Sequence, residues 1–472
     1  MVEAFGAVSR TEADELYGNL IARSLKTGFT YQRAGGKVEA IHLMLVPAFF
    51  TAEQVSYLSA LAHAVKRGVE AAYRAWFDDS EIAALLPFEE DEEKWIRAAR
   101  SGSKAAEPLW YRLDSHFNMK EKAWKDSISI FEINGCAVGG IHYGPAAEHL
   151  FFDTVMPLIS KYLPELPLIG KSPDLRELLY LYAARQAKLI GRNRLNFIFC
   201  EDNTADEGIT EGPYIVEFLK GIGCNAELAD PRELHIKKDE VWFKDTPVDI
   251  IYRNFELRDI LEMEREGGSM EALRLAFFKN QAISSLCGDF DHKSMWEVLT
   301  SGRFDKYFNE EDAKLFKKHL LWTRTLKEGM TTGPCGEPVD LMPYTARNKD
   351  GLVLKPNRLC GGYGVTIGRT SSEADWEASV SSALKGGEAW VVQRFSEPEG
   401  FKFPLFEDGS LAFEDHNIVY GLSATPDGTG ILGRASRQNV VNVAQQGGLM
   451  PVLRLAEGGG GLNMPIKERL KA

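Results

Sequence analysis

The chain has 472 residues, a length that calls for two or three lobes around separate cores. It is 44% hydrophobic and 26% charged, which fits a globular protein, and no apolar run reaches membrane-spanning length. A formal net charge of −13 argues against a sequence-independent nucleic-acid binder, which needs a basic surface, and leaves room for a local basic pocket.

The first hundred residues read as helical. "TAEQVSYLSALAHAVKRGVEAAYRAW" carries apolar residues at helical spacing, and Thr51 with Gln54 has the pattern of a capping box. "DDSEIAALLPFEEDEEKWIRAARSG" continues in helices broken at Pro87. From Leu109 the period changes: "LWYRLDSHF" and "SISIFEIN" alternate as strands, joined by the charged turn "NMKEKAWKD". A largely helical stretch punctuated by prolines follows, over roughly 145–190. Then "RLNFIFCED" reads as a buried strand, "EGPYIVEFLKGIGC" as a helix closed by glycine, and the residues up to 255 as strands again. That alternation predicts a parallel α/β layer. Beyond about 350 come short strands, many glycines and one helix in "SSEADWEASVSSAL", with Ser372 as its N-cap and Asp375 three residues on.

The six cysteines, Cys136, Cys200, Cys224, Cys287, Cys335 and Cys360, form no CxxC pair. A disulfide framework or a zinc site has no spacing to support it. Reduced thiols and a cytoplasmic location are expected, the more so because "MVEAFGAVSRTEADELYG" lacks the apolar core of a secretory signal.

Four segments carry candidate chemistry. In a strand alternate residues share a face, so Glu132 and Asn134 point the same way roughly 7 Å apart, with Phe131 and Ile133 expected toward the core. Arg112 and Asp114 have the same relation one strand earlier. A hairpin of the two would gather an arginine, two carboxylates and an amide, either as its solvated face or as hard oxygen ligands for Mg²⁺. In "GLVLKPNRLCGGYGVTIG", Lys355 ends a strand before Gly361, Gly362 and Gly364. A P-loop has its lysine after the glycines, so this is a plain glycine-turn hairpin or a different kind of phosphate loop, in which backbone N–H groups approach closely and the lysine acts as a point charge. "DHKSMWEVL" holds Lys293 at a helix start, and "GRASRQNVVNVAQQGG" holds Arg434, Arg437 and Asn442 on or near a strand that ends in paired glycines.

Together, and in this order, the segments resemble the ATP-grasp ligases, in particular the circularly permuted branch that includes the synthetase half of glutathionylspermidine synthetase. The resemblance covers about residues 109–455 and rests on R-x-D followed by E-x-N, on "VDIIYRNF", on "DHKSMWEVL", on "VLKPNRLCGGYGVTIG" and on "WVVQRF". It implies an α+β fold with a helical N-terminal region (1–108), a permuted part of the ATP-grasp core bearing the metal strands (109–190), a Rossmann-like α/β substrate lobe (191–290) and an ATP-grasp lid and core (291–472). It implies ATP and Mg²⁺ as cofactors, with Asp114, Glu132 and Asn134 on the metal. Lys293, Lys355, Gly361, Gly362 and Gly364 would hold phosphates, and Gln393 would lie near the adenine. Arg112, Arg437 and Asn442, with Lys355, would act in catalysis, and Tyr252 and Arg253 on the substrate side. The implied reaction is ADP-forming carbon–nitrogen ligation of a small-molecule or short-peptide carboxylate to an amine, with no nucleic-acid or membrane partner. A phosphotransferase or a non-catalytic nucleotide-binding module are the alternatives. The identities of acid and amine and the oligomeric state are not legible. The departures are the absence of an amidase domain ahead of the synthetase part, Cys360 within the loop, and a first hundred residues that match no family pattern.

Overall fold

The computed structural model describes residues 1–102, 107–119, 122–163, 169–204, 207–359, 361–407, 409–438 and 447–455. In chain order its main strands are β1 Thr30–Arg33, β2 Lys37–Ala40, β3 Ala48–Phe50, β4 Arg112–His116, β5 Ser129–Asn134, β6 Asn196–Cys200, β7 Asn225–Ala229, β8 Ile250–Arg253 and β9 Ala282–Ile283. They continue with β10 Thr323–Thr325, β11 Leu352–Pro356, β12 Thr366–Ile367, β13 Trp390–Arg394, β14 Gly400–Glu407, β15 Ser410–Thr425, β16 Gly428–Ser436, β17 Gly448–Met450 and β18 Val452–Leu455.

Three of the sheets position the site. The largest runs β17–β16–β15–β4–β5 with β14 also on β15, antiparallel throughout. The hairpin of residues 112–134 is thus completed by strands nearly three hundred residues further on. A smaller antiparallel sheet, β10–β13–β11–β12, carries Lys355 and Gln393 and is backed by the helix Glu373–Lys385. The Ser372 side chain caps that helix by accepting from the Asp375 amide, as its sequence predicts. The third sheet, β9–β8–β6–β7, is parallel, as the alternating strand and helix signals require.

The parallel sheet is buried on both faces, one of them through Ile198 and Ile251 in the largest core. Phe197, Ile215 and Tyr252 belong to the core on its other face, and Trp322, Leu354 and Trp376 to that of the small sheet. The largest core runs without a break from the helix Ala52–Trp76, whose buried stripe includes Leu58, Leu61 and Val65, into Leu113, Ile130 and Tyr420 of the large sheet. That helix begins with the expected Thr51–Gln54 capping box. The first hundred residues are more than helical, however. They also supply β1 to β3, and β3 pairs in parallel with β18, which ties this region into the fold's last described strand. Among the described residues no helix is long and apolar enough to cross a membrane.

Candidate active site

Strands β4 and β5 pair in register, with Arg112 opposite Asn134 and Asp114 opposite Glu132. All four side chains line one cavity of about 180 Å³ between the large sheet and the small one. Beyond Asp114 the register shifts, so that Ser115 faces Ile130 and Phe131 is the extra residue of a β-bulge. The shift corrects the expectation for Phe131. Ile133 is buried in the core, but Phe131 is turned into the cavity, because a bulge breaks the simple alternation of faces.

Asp114 is the electrostatic centre of this face. Its Oδ1 lies 2.9 Å from Arg112 Nε and 2.6 Å from Arg434, a residue of β16. Its Oδ2 accepts from Asn134 Nδ2 at 3.2 Å. Burial pushes the Asp114 carboxyl up, but Arg112 and Arg434 outweigh it and hold the group well below the usual carboxylate range. The Arg112 guanidinium also donates to the Gly139 carbonyl at 2.7 Å. Gly421, opposite Asp114 on β15, makes this possible: a Cβ there would stand 2.5 Å from Arg112 Cδ. Asn134 donates through Nδ2 alone, which leaves its Oδ1 without a hydrogen bond among the described residues.

Both lysines reach the same cavity. Lys293 Nζ sits 3.2 Å from Glu132 and donates to the Leu359 carbonyl at 2.6 Å. Lys355, on β11, donates to Gln393 Oε1 at 2.7 Å and lies over the Phe131 ring at 5.3 Å. Burial pulls the Lys355 ammonium down from 10.5 to about 8, against the attraction of Glu132 and together with the repulsion of Lys293. Gln393 is held on both sides, because its Nε2 donates to the Phe131 carbonyl and to Thr323 Oγ1. It therefore links Lys355 to the bulge, with both of its N–H donors engaged and Oε1 accepting from Lys355.

Lys355 is followed by a turn whose glycines need a left-handed backbone, Gly361, Gly362 and Gly364 all having φ between 70° and 76°. At Gly364 space is a second constraint, since a Cβ would meet Pro356 Cγ at 2.7 Å. The root of this loop is anchored from outside the sheet. The Arg358 guanidinium forms two 2.7 Å hydrogen bonds with Glu92, a buried residue of the helix Glu90–Gly102, and stacks over Phe88. The Lys293 amide donates to the Asn357 carbonyl at 3.0 Å and the Ser294 amide to Asn357 Oδ1 at 2.9 Å, so both lysine segments share one support.

Other residues singled out from the sequence lie elsewhere. Arg253 is 1% exposed and forms an ion pair with Asp289 at 2.5 Å, while it also donates to the Ser284 and Ser285 carbonyls. Tyr252 is buried in the core of the parallel layer and donates to the Val138 carbonyl. Neither lines the cavity. Arg437 is half-exposed on the rim of the large sheet and pairs with Glu407 and Glu414. It is Arg434, three residues earlier, that faces Asp114. Arg434 lies within β16, whereas Arg437 stands just past its last residue, Ser436. Asn442 and Cys360 lie outside the described residues. Among those residues no three His, Cys, Asp or Glu side chains gather as a metal site. Two carboxylates and an amide oxygen nevertheless suit Mg²⁺, which takes one or two carboxylates and completes its shell with water and phosphate oxygens.

No protein-family model matches the chain, and no curated protein matches it. Among solved structures it is similar to a glutathione synthetase-like effector (GSS30) from Globodera pallida in its apoform. The TM-score is 0.61 at 11% identity, over 93% of this chain and 96% of that one. A RimK domain ATP-grasp protein from Sphaerobacter thermophilus DSM 20745 aligns at a TM-score of 0.24 and 14% identity, over 53% of this chain and 97% of that one, a likeness too slight to argue from. What is shown is the fold alone: a mixed helix-and-sheet architecture shared with that effector over most of both chains.

Proposed function

We propose that the chain is an ATP-dependent ligase that forms an amide bond between a carboxylate and an amine. The observation that carries this reading is one cavity lined by two lysines, two arginines and the Asp114–Glu132–Asn134 face, drawn from segments as far apart as those of Arg112 and Arg434. A buried cluster of both charge signs around an open space has the character of a phosphoryl-transfer site, where charge neutralisation and positioning outweigh covalent help from the protein. The order of the segments, acidic hairpin before glycine loop, supports a circularly permuted ATP-grasp chain. Its parts would be 1–108, 109–190, a substrate lobe over 191–290, and a lid with the rest of the core over 291–472.

In this reading a substrate carboxylate oxygen attacks the γ-phosphorus of ATP, the bond to the ADP oxygen breaks, and an acylphosphate forms. The amine nitrogen then attacks the acyl carbon, gives up a proton, and phosphate leaves. Lys293 and Lys355 neutralise the phosphate oxygens. Arg112 and Arg434, held in place by Asp114, orient the carboxylate or the transferred phosphoryl group. Glu132 and Asn134, with Asp114, would hold Mg²⁺, which supplies further positive charge to the phosphates. The loop of Gly361, Gly362 and Gly364 keeps water from the acylphosphate. The likeness to a glutathione synthetase-like effector supports a small-molecule or short-peptide acid as substrate.

Incubation with ATP, Mg²⁺ and pools of acids and amines tests the proposal. Phosphate release and a condensed product mass are expected only when acid and amine are both present. A phosphorylated product formed without amine would instead make the protein a phosphotransferase.

A further inference from the structure

His116 ends β4 two residues beyond Asp114, and the proposed function gives it no role. It lines the cavity, is only 8% exposed, and neither ring nitrogen has a hydrogen-bond partner. A buried imidazole left unpaired costs about 1–3 kcal/mol, so such a group calls for a partner that comes and goes. Its position says which partner. Along β4 the side chains facing the cavity are Arg112, Asp114 and His116, alternate residues on one face. His116 packs against the Phe131 ring, 5.0 Å between centroids, the ring over which Lys355 also lies, and Val353, Ile367 and Val419 line the same cavity. An aromatic and aliphatic wall suits a flat heterocycle rather than a phosphate. Gln393, expected near the base, has both N–H donors committed to Phe131 and Thr323, so it has no donor left for a base edge.

The geometry points to His116 as a nucleotide-recognition residue that hydrogen-bonds the nucleoside moiety of ATP, between the wall made by Phe131 and the strand that carries Asp114. The inference rests on the nucleotide reading of the cavity and extends it to a residue that no motif describes.

Calorimetric titration with Mg-ATP and with Mg-tripolyphosphate, which lacks the nucleoside, tests it. In His116→Phe, which keeps an aromatic ring against Phe131, ATP affinity should fall roughly 10-fold while tripolyphosphate affinity stays as in the wild type. His116→Gln, which keeps a donor and an acceptor, should recover most of the ATP affinity. Unchanged ATP binding by His116→Phe, or an equal loss for both ligands, overturns the assignment. A wild-type protein that binds tripolyphosphate and ATP equally well overturns it too, while leaving the phosphate site intact. A wild-type protein that binds neither overturns the reading of the cavity itself.

Discussion

Lys355 offers the sharpest quantitative prediction, because burial in the cavity draws its pKa toward neutrality. A fall from 10.5 to about 8 on burial means that the cation is disfavoured by about 3 kcal/mol relative to water. An incoming phosphate chain reverses this, since anionic oxygens beside the ammonium push its pKa back up. Binding must therefore take up a proton. The sign follows directly: below pH 8 the lysine is already charged and affinity is flat, whereas above it each binding event must first protonate the amine. At pH 9 only about one-tenth of the free protein carries the charge, so ATP affinity should drop roughly 10-fold per pH unit between pH 8 and pH 10. Isothermal titration in two buffers of different ionisation enthalpy measures both quantities, with uptake of about half a proton expected near pH 8. Lys355→Arg, whose charge does not titrate in this range, should abolish the proton uptake. A wild-type affinity that stays flat from pH 7 to pH 10, or equal proton uptake in Lys355→Arg, would refute the reasoning.

Glu132→Gln removes the carboxylate that faces both Asp114 and Lys293 and should lower the ligation rate by about 10²–10³ while circular dichroism and melting stay near wild type. Substantial ADP formation by the variant would show that the reacting phosphate lies elsewhere. Arg253→Met leaves Asp289 as an uncompensated buried charge and should cost about 3–5 kcal/mol in urea unfolding. A loss of activity at full stability would instead give Arg253 a direct role with substrate. Glu92→Ala removes both hydrogen bonds that fix Arg358, so we expect faster proteolytic cutting near residue 358 and weaker ATP binding. Wild-type rates of cutting would show that the Asn357 contacts alone hold the loop.

Much of the site is legible because its chemistry is written in short local patterns. The i, i+2 spacing in "RLD" and "EIN" specifies a shared face, and the pairing of Asp114 with Glu132 follows once the hairpin forms. Glycines that require positive φ mark the loop after Lys355. The illegible parts depend on distant contacts. The bulge that turns Phe131 into the cavity is a property of the pairing, not of either strand. Arg434 and Arg437 are separated by where β16 ends, at Ser436, and the sequence alone favours neither. Glu92 sits in a run of acidic residues that reads as a solvated helix face, and only the fold brings Arg358 to it. The same holds for β3, whose partner β18 lies at the other end of the described chain.

The joining of β4 to β15 also bears on how the molecule comes into being. Ser115 donates to the Tyr420 carbonyl across 305 residues. On a ribosome adding about 5–20 residues per second, the acidic hairpin emerges some 15–60 s before the strand that completes it. Until then its edge is unpaired and Arg434, one of the two cations that neutralise Asp114, has not been made. The site is thus the product of a late, high-contact-order closure, the kind that slows folding and exposes strand edges to wrong neighbours. A chain halted before Ser410 would carry both lysines and the whole acidic hairpin, yet lack the strand that pairs with β4 and the Arg434 that helps neutralise Asp114.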